Sequence, residues 1–575
     1  MRTAHVRLAL FALPLLVLSA APQPSQSPAP ADTKARVDAI FAEYDRSDSP
    51  GCALGVYRDG RIEYARGYGM ANLEVGIANS PQTVLDIGST GKQFTAFSIH
   101  LLARDGKLTL DDDVRKWIPE IPDYGKAVTI RHLLHHTGGL RDYIVLFDLQ
   151  GVIEEDVSTR EDTLAVLALQ KAPNFAPGAE HLYSNTGYFL LGEIVRRASG
   201  KPLREFAQER IFGPLGMRHT QYNDSHGRII PGRGTGYSKE EGGGFSIEMS
   251  DWEQVGDGGV QTTIEDLQRW DENFYAPRVG DAALIAAMLE PGVLNSGKKL
   301  QYASALYVSD YRGLPTVTHG GSWAGYRTQL MRFPKQHLSV ACICNLAQTN
   351  PSRLAEKVSE VYLGGLMSGP AAQKTPEPSA AGKKPRSSAA DSARLSTMAG
   401  AYRNRESGNI LELSVSGGTL EGRLGRRKVT LVPTGPDRYR LEPARGEPAD
   451  VVADRAGAAR PRLTILSSDG DTDADREVYE PVELWKPAAR DLDALAGRYA
   501  SAELDTTWRL EAAEGKLYVR HRGAPAEPLS PTVADTFALD EMVLVFAHDA
   551  SGQPTGFTLD DGRVRGVAFR RLAAK

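Results

Sequence analysis

The amino-acid sequence predicts an α+β unit, one antiparallel sheet with helices packed against it, followed by two small all-β, barrel-like domains. Three observations lead there. Strand-like segments at both ends of residues 35–367 enclose a mostly helical middle with long loops. Residues 368–393 (SGPAAQKTPEPSAAGKKPRSSAADSA) hold almost no large apolar side chain, the composition of a linker. Beyond them the chain repeats itself.

A length of 575 residues suits several cores rather than one, and 41 % hydrophobic with 24 % charged residues is ordinary for a folded, water-facing chain. A formal net charge of −5 with no basic half argues against a nucleic-acid partner, because phosphate binding needs concentrated Lys and Arg.

At the N-terminus Arg2 and Arg7 precede an apolar run from Leu8 to Leu18, broken by Pro14 and followed by Ser19, Ala20 and Ala21. Positive flank, short apolar core and small residues make residues 1–21 a signal peptide, so an exported, periplasmic or secreted protein is expected. The run falls short of the roughly 20 apolar residues that a membrane span needs, so no stable span is expected after cleavage. Residues 22–34 read as a flexible leader.

Within 35–367, Cys52 to Tyr57 and Ile62 to Ala65 flank Asp59-Gly60, a hairpin signal. Thr316 to Thr318, Arg327 to Arg332 and Ser339 to Cys344 read as three more strands, with a helix from about Arg353 to Leu366. The cysteines are Cys52, Cys342 and Cys344. The last two share a strand face and do not bridge each other, so all three are expected as small buried core residues, with a pairing of Cys52 to either left open.

After the linker, Leu395, Met398, Ala399, Gly400 and Tyr402 match Leu492, Leu495, Ala496, Gly497 and Tyr499 at an offset of 97 (492 − 395). Leu413, Gly418 and Leu420 match Leu510, Gly515 and Leu517 at the same offset, and Leu431, Pro433, Tyr439 and Leu441 match Leu529, Pro531, Phe537 and Leu539 one residue further on. Short alternating segments punctuated by Gly, Pro and Asp predict two β domains, 394–487 and 488–575, with a single fused β domain as the alternative.

The chemistry-bearing segment is Ile87-Gly88-Ser89-Thr90-Gly91-Lys92-Gln93-Phe94. Apolar residues then recur at helical spacing until Gly106, so Ser89 opens a helix and Lys92 lies one turn later on the same face. A serine hydroxyl must lose its proton as it attacks, and a neighbouring amine can take it. A phosphate loop is excluded, since Asp86 stands where its first glycine belongs and Gln93 where Ser or Thr must follow the lysine. Ser-x-x-Lys alone is weak evidence, and context strengthens it. Tyr183-Ser184-Asn185 precedes an apolar helix, placing a candidate general base and a candidate amide-binding residue together. The Tyr183 phenolate is expected to be stabilised by Lys92. Thr318-His319-Gly320-Gly321-Ser322 lies between predicted strands, where glycines let a backbone edge approach a substrate. The N–H groups of Ser322 and Ser89 are a candidate oxyanion hole.

In this order and spacing, Ser-x-x-Lys, Tyr-x-Asn and His-Gly-Gly resemble the three active-site elements of the serine β-lactamase and penicillin-binding protein family, which implies its α/β sandwich of the β-lactamase/transpeptidase type. Leu133-Leu134-His135-His136-Thr137-Gly138-Gly139-Leu140, Pro214-Leu215-Gly216-Met217 and Gly258-Gly259-Val260 resemble it too. The resemblance implies Ser89 as nucleophile, Lys92 as its activating partner, Tyr183 as proton shuttle, and Asn185, His319, Gly320, Gly321 and Ser322 as substrate-binding residues. Where the β-lactamases carry Lys-Thr-Gly this chain has His319-Gly320-Gly321, similar to D-aminopeptidases, whose trailing β domains the C-terminal repeat also resembles. Histidine is largely neutral near pH 7, which weakens any attraction for a substrate carboxylate. His135 and His136 are expected to be structural.

The expectation is acyl-enzyme hydrolysis of a small peptide, amide or ester, foremost D-amino-acid-containing peptides in the manner of a D-aminopeptidase or DD-carboxypeptidase. The alternatives are a carboxylesterase or β-lactamase of the same fold and, outside enzymes, a non-hydrolytic peptidoglycan- or β-lactam-binding protein. No cofactor is expected: neither His-Glu-x-x-His nor Cys-x-x-Cys occurs. Cell-wall material is a further expected partner, on the position of the β domains alone.

Overall fold

The computed structural model describes residues 31–368 and 394–573, except 406, 417–418, 426, 444–448, 456–459, 467–475 and 522–524. The signal peptide, all but the last residues of the leader, the 368–393 linker beyond its first residue, and Gly418 of the repeat lie outside the described residues.

The N-terminal unit is built on a six-stranded antiparallel sheet. Its strands are β1 (Cys52–Arg58), β2 (Arg61–Tyr68), β3 (Tyr307–Tyr311), β4 (Leu314–Trp323), β5 (Tyr326–Phe333) and β6 (Leu338–Cys344), in the order β3-β4-β5-β6-β1-β2. The first hairpin turns where expected: Asp59 and Gly60 have φ of 48° and 73°, the left-handed pair of a two-residue turn. Side chains alternate across the sheet. Leu54, Val56, Val340 and Cys342 face α1 (Ala31–Ile40) and α5 (Pro351–Leu363), while Ala53, Ala341 and Ile343 face the helical layer. That layer centres on α2 (Lys92–Arg104), α3 (Tyr143–Gln150) and α4 (Asn185–Ser199). Helices on both faces leave β6 buried along its whole length. The edge strand β3 was not read from the sequence.

Two expectations need correction. Cys52 and Cys344 face each other across β1 and β6 and form a disulfide, leaving Cys342 as a buried thiol, so the three do not act alike as core residues. Cross-strand register, which spacing along one chain cannot reveal, chose the partner. The His319-Gly320-Gly321-Ser322 segment lies inside β4 and not between strands, and the turn follows it, with Trp323 opposite Tyr326.

The repeat forms two separate closed barrels of eight strands, the first from β7 (Gly400–Asn404) to β14 (Arg476–Val482), the second from β15 (Gly497–Ser501) to β22 (Val564–Arg571). Their matched residues do matched work. Tyr402 Oη donates to Met398 O at 2.9 Å and Tyr499 Oη to Leu495 O at 2.8 Å. Gly400 pairs with Leu413 as Gly497 pairs with Leu510.

The barrels differ in attachment. The first keeps its own core, whereas the apolar core of the second is continuous with that of the N-terminal unit. Trp508 Nε1 donates to Leu149 O at 3.1 Å, and Gln150 Nε2 to Leu504 O at 2.6 Å. At the centre Arg141 and Glu503 pair at 2.6 Å with side chains 2 % and 4 % exposed. Removing one partner of such a buried pair costs about 3–5 kcal/mol, because the other charge is left unpaired, more than the ~1 kcal/mol of an ordinary hydrogen bond, so docking is sensitive to loss of either partner. Glu503→Ala is therefore expected to loosen the second barrel, read as faster amide exchange along α3 and β15–β22. Arg141→Met with Glu503→Leu should restore part of the protection; unchanged exchange in Glu503→Ala would show the pair to be dispensable.

Candidate active site

Ser89 stands on a tight helical turn, Gly88–Gly91, that runs directly into α2 at Lys92. The lysine side chain passes under the nucleophile and is fully buried. Its amine donates to Asn185 Oδ1 at 2.9 Å and to the carbonyl of Asp257, and its third position meets Ser89 Oγ at 2.9 Å. A carbonyl oxygen only accepts, so two N–H bonds are committed. The third position holds an N–H when the amine is charged and its lone pair when neutral. Burial pulls Lys92 down to about 8, against the opposing pull of Asp257 and Asp142. The neutral amine, lone pair towards the hydroxyl, is thus accessible near neutrality.

Asp142 orients this arrangement. Its Oδ2 accepts from Asn185 Nδ2 at 3.0 Å and Asn185 N at 2.7 Å, and its Oδ1 accepts from Ile144 N at 3.0 Å. One buried carboxylate thereby caps both α3 and α4, satisfying helix-end donors, and turns the Asn185 carbonyl towards Lys92. Asp257 Oδ2 accepts from Tyr143 Oη at 2.9 Å. The Asn185 amide, expected to hold substrate, lines the cleft and also positions the amine: its carbonyl meets Lys92 and one of its two Nδ2 hydrogens is given to Asp142.

Tyr183 lies beside Ser89, hydrogen-bonded to it, with Lys92 Nζ 5.0 Å from its ring centroid. Its pKa is raised, because loss of water outweighs the lowering influence of Ser89 and Arg563, which favours a resting phenol over the expected phenolate. A phenol can hand a proton on. His136 packs under it at 4.2 Å and accepts from Ser184 N at 3.2 Å, a structural role.

β4 supplies the other wall. A Cβ on Gly321 would fall 2.0 Å from Ile87 O, and one on Gly88, where φ is +48°, 2.8 Å from Ser322 N. The two glycines let the strand press against the turn, which sets Ser322 N against Gly88, the residue before Ser89. His319 is buried, and both ring nitrogens are used. Gly320 O, 2.6 Å away, only accepts, so Nδ1 carries the hydrogen and Nε2 accepts from Tyr302 Oη at 3.0 Å. Burial lowers its pKa to about 4, so it carries no charge near neutrality.

The cleft between these walls has a volume of about 1190 Å³. Ser89, Tyr183, Asn185, His319, Gly320, Gly321 and Ser322 all line it, with Lys92 beneath. Trp252 and Trp323, 5.4 Å apart, form an apolar side. Arg563, from the turn between β21 (Pro554–Asp561) and β22, closes another. Sequence reasoning missed Asp142, Tyr143, Asp257 and Arg563. Asp142 precedes an apolar helical run, a readable cap signal. Arg563 sits in an Asp-Asp-Gly-Arg hairpin turn that gives no hint of where the hairpin docks.

Two outcomes follow. The base form of Lys92 grows as pH rises through about 8, so kcat/KM should climb through that region, and Lys92→Arg, which cannot deprotonate there, should lose activity. A flat profile from about pH 6 to 9 would exclude Lys92 as the base. Gly321→Ala must push β4 off the turn. Loss of one oxyanion donor is worth about 10²–10³ in kcat, so a drop of that size on an intact circular-dichroism spectrum is expected, and wild-type kcat would show the close approach to be unnecessary.

Residues 37–361 match the Beta-lactamase family. The chain is 26 % identical to the D-aminopeptidase of Brucella anthropi over 548 residues, covering 91 % of this chain and 95 % of that protein. It is also 26 % identical to the D-aminopeptidase of Brucella melitensis biotype 2 over 549 residues, covering 91 % and 96 %. Among solved structures, the octameric penicillin-binding protein homologue from Pyrococcus abyssi superposes with a TM-score of 0.53 at 24 % identity, over 78 % of this chain and 99 % of that one, a likeness of fold. With more than half its length matched, the chain belongs to the β-lactamase family of serine hydrolases.

Proposed function

We propose that the protein hydrolyses amides and peptides containing D-amino acids through an acyl-enzyme on Ser89. The observation that carries the reading is the buried Lys92 amine, whose two committed N–H bonds leave its third position on the Ser89 hydroxyl. The substrate class is supported by near end-to-end similarity to proteins named D-aminopeptidase.

In this reading Lys92 Nζ takes the Ser89 proton as Oγ adds to the substrate carbonyl carbon. The oxygen gains the negative charge and faces the N–H groups of Ser89 and Ser322. The carbon–nitrogen bond then breaks and the amine leaves with a proton from the Tyr183 phenol, which Lys92 replenishes. Water repeats the sequence on the ester, its proton returning to the Lys92–Tyr183 pair, and Ser89 is released with the free acid.

Turnover of D-alanine p-nitroanilide, a D-Ala-D-Ala peptide, nitrocefin and p-nitrophenyl butyrate separates the possibilities. The expected result is turnover of a D-amino-acid compound, reduced at least about 10³-fold in Ser89→Ala. Ester-only turnover makes the protein a carboxylesterase, nitrocefin-only turnover a β-lactamase, and stoichiometric acylation without turnover a binding protein. Equal activity of Ser89→Ala and wild type would overturn the nucleophile itself.

A further inference from the structure

The cleft's charges are arranged unevenly. Of its described wall residues, the acids are Asp86, Glu248 and Asp257. Asp86 accepts from Gly88 N at 2.7 Å, Asp257 is held by Tyr143, and Glu248 faces Arg327. Asp142 lies beneath the wall, buried and occupied by backbone and Asn185 donors. A substrate ammonium beside Ser89 therefore meets two carboxylates already hydrogen-bonded to protein, Asp86 and Asp257.

Arg563 is the opposite case. The second barrel presents it from a turn whose backbone is pinned: Arg563 O accepts from Asn174 Nδ2 at 2.8 Å and Asp142 N at 3.3 Å. The neighbouring Arg565 N donates to Asn174 Oδ1 at 2.8 Å, and Arg565 O accepts from Arg141 Nε at 3.0 Å. The guanidinium rests 4.9 Å from the centroid of the Tyr183 ring. Among the described residues its one ion pair is with Asp142 at 3.7 Å, longer than a hydrogen bond, and its side chain is 44 % exposed. A planar fork of donors is thus held at the cleft surface against the residue that passes a proton to the leaving nitrogen.

We propose that Arg563 binds the α-carboxylate of the leaving amino acid, so that this hydrolase releases a residue with a free carboxylate rather than trimming one from a free amine. The carboxylate is one carbon from the leaving nitrogen, which puts it within reach of a group stacked on Tyr183. Two parallel N–H bonds fit a carboxylate, and the Tyr183 ring backs the guanidinium that would make them. Since His319 is occupied by Tyr302 and Gly320, recognition of negative charge passes from β4 to the second barrel. The proposal rests on the D-amino-acid reading above for its substrate but on Arg563 for its charge preference.

The test compares kcat/KM of the purified full chain on N-acetyl-D-alanyl-D-alanine and on its C-terminal amide, with D-alanine p-nitroanilide as the free-amine probe. Wild type is expected to favour the acid at least about tenfold, and Arg563→Ala to cut that acid-to-amide ratio by about 10- to 100-fold, chiefly through KM. Arg563→Lys should keep part of the ratio, and Arg563→Glu should invert it in favour of the C-terminal amide. A wild-type ratio near one, or a ratio untouched by Arg563→Ala, overturns the assignment and leaves the D-amino-acid reading standing. Should wild type turn over none of these compounds yet cleave esters, that reading fails instead. The ratio between O-butyryl-D-lactate, whose leaving group carries a carboxylate one carbon from the leaving oxygen, and its C-terminal amide then decides Arg563 separately, with a preference for the acid lost in Arg563→Ala supporting it and equal rates overturning it.

Discussion

An amine buried beneath a serine hydroxyl is the constraint that the rest of the catalytic unit answers. Water cannot solvate Lys92, so the fold must supply every partner, and each partner needs its own support. Asn185 must show its carbonyl, which Asp142 enforces. Asp142 must itself be held in the interior, which donors at the ends of two helices and the Asn185 amide do. The Asp257 carbonyl must reach the amine from a glycine-rich segment, and Tyr143 holds its side chain away from solvent. Three sequence-distant segments converge because one nitrogen needs them.

The same burial divides the proton chemistry. Loss of water favours the neutral forms of both Lys92 and Tyr183, which makes the lysine a base and the tyrosine an acid. Two neighbours with oppositely directed tasks thus follow from one dielectric environment. His319 obeys the same rule and becomes a neutral packing element of the wall.

The trailing barrels, built from one repeated pattern, have diverged in use. The first stands on its own core, and the second joins the catalytic core and carries Arg563 to the cleft. A hairpin tip is long and exposed on an isolated barrel. Here, the Arg141–Glu503 pair and the Asn174 amide fix it, so the cleft's charge depends on a domain that supplies no nucleophile.

Local pattern was enough for much of this. Ser89 and Lys92 share a helix turn, so their approach follows from spacing alone. The Asp59-Gly60 hairpin, the glycines of β4 and the doubled barrel pattern follow from backbone conformation and side-chain alternation, which are properties of short segments. The sequence by itself therefore determined the fold class, the serine-lysine pair and the neutral histidine on the third element. Register and docking are different in kind, because they depend on which distant surfaces meet. The Cys52–Cys344 bond is chosen by the alignment of β1 on β6, and the phenolic state of Tyr183 by the depth of its burial. Asn185 became a holder of Lys92 because Asp142 faces it from another helix. The arrival of Arg563 beside Asn174, 389 residues away, was decided only by tertiary structure, since no local energy distinguishes a hairpin tip in solvent from one seated in a cleft.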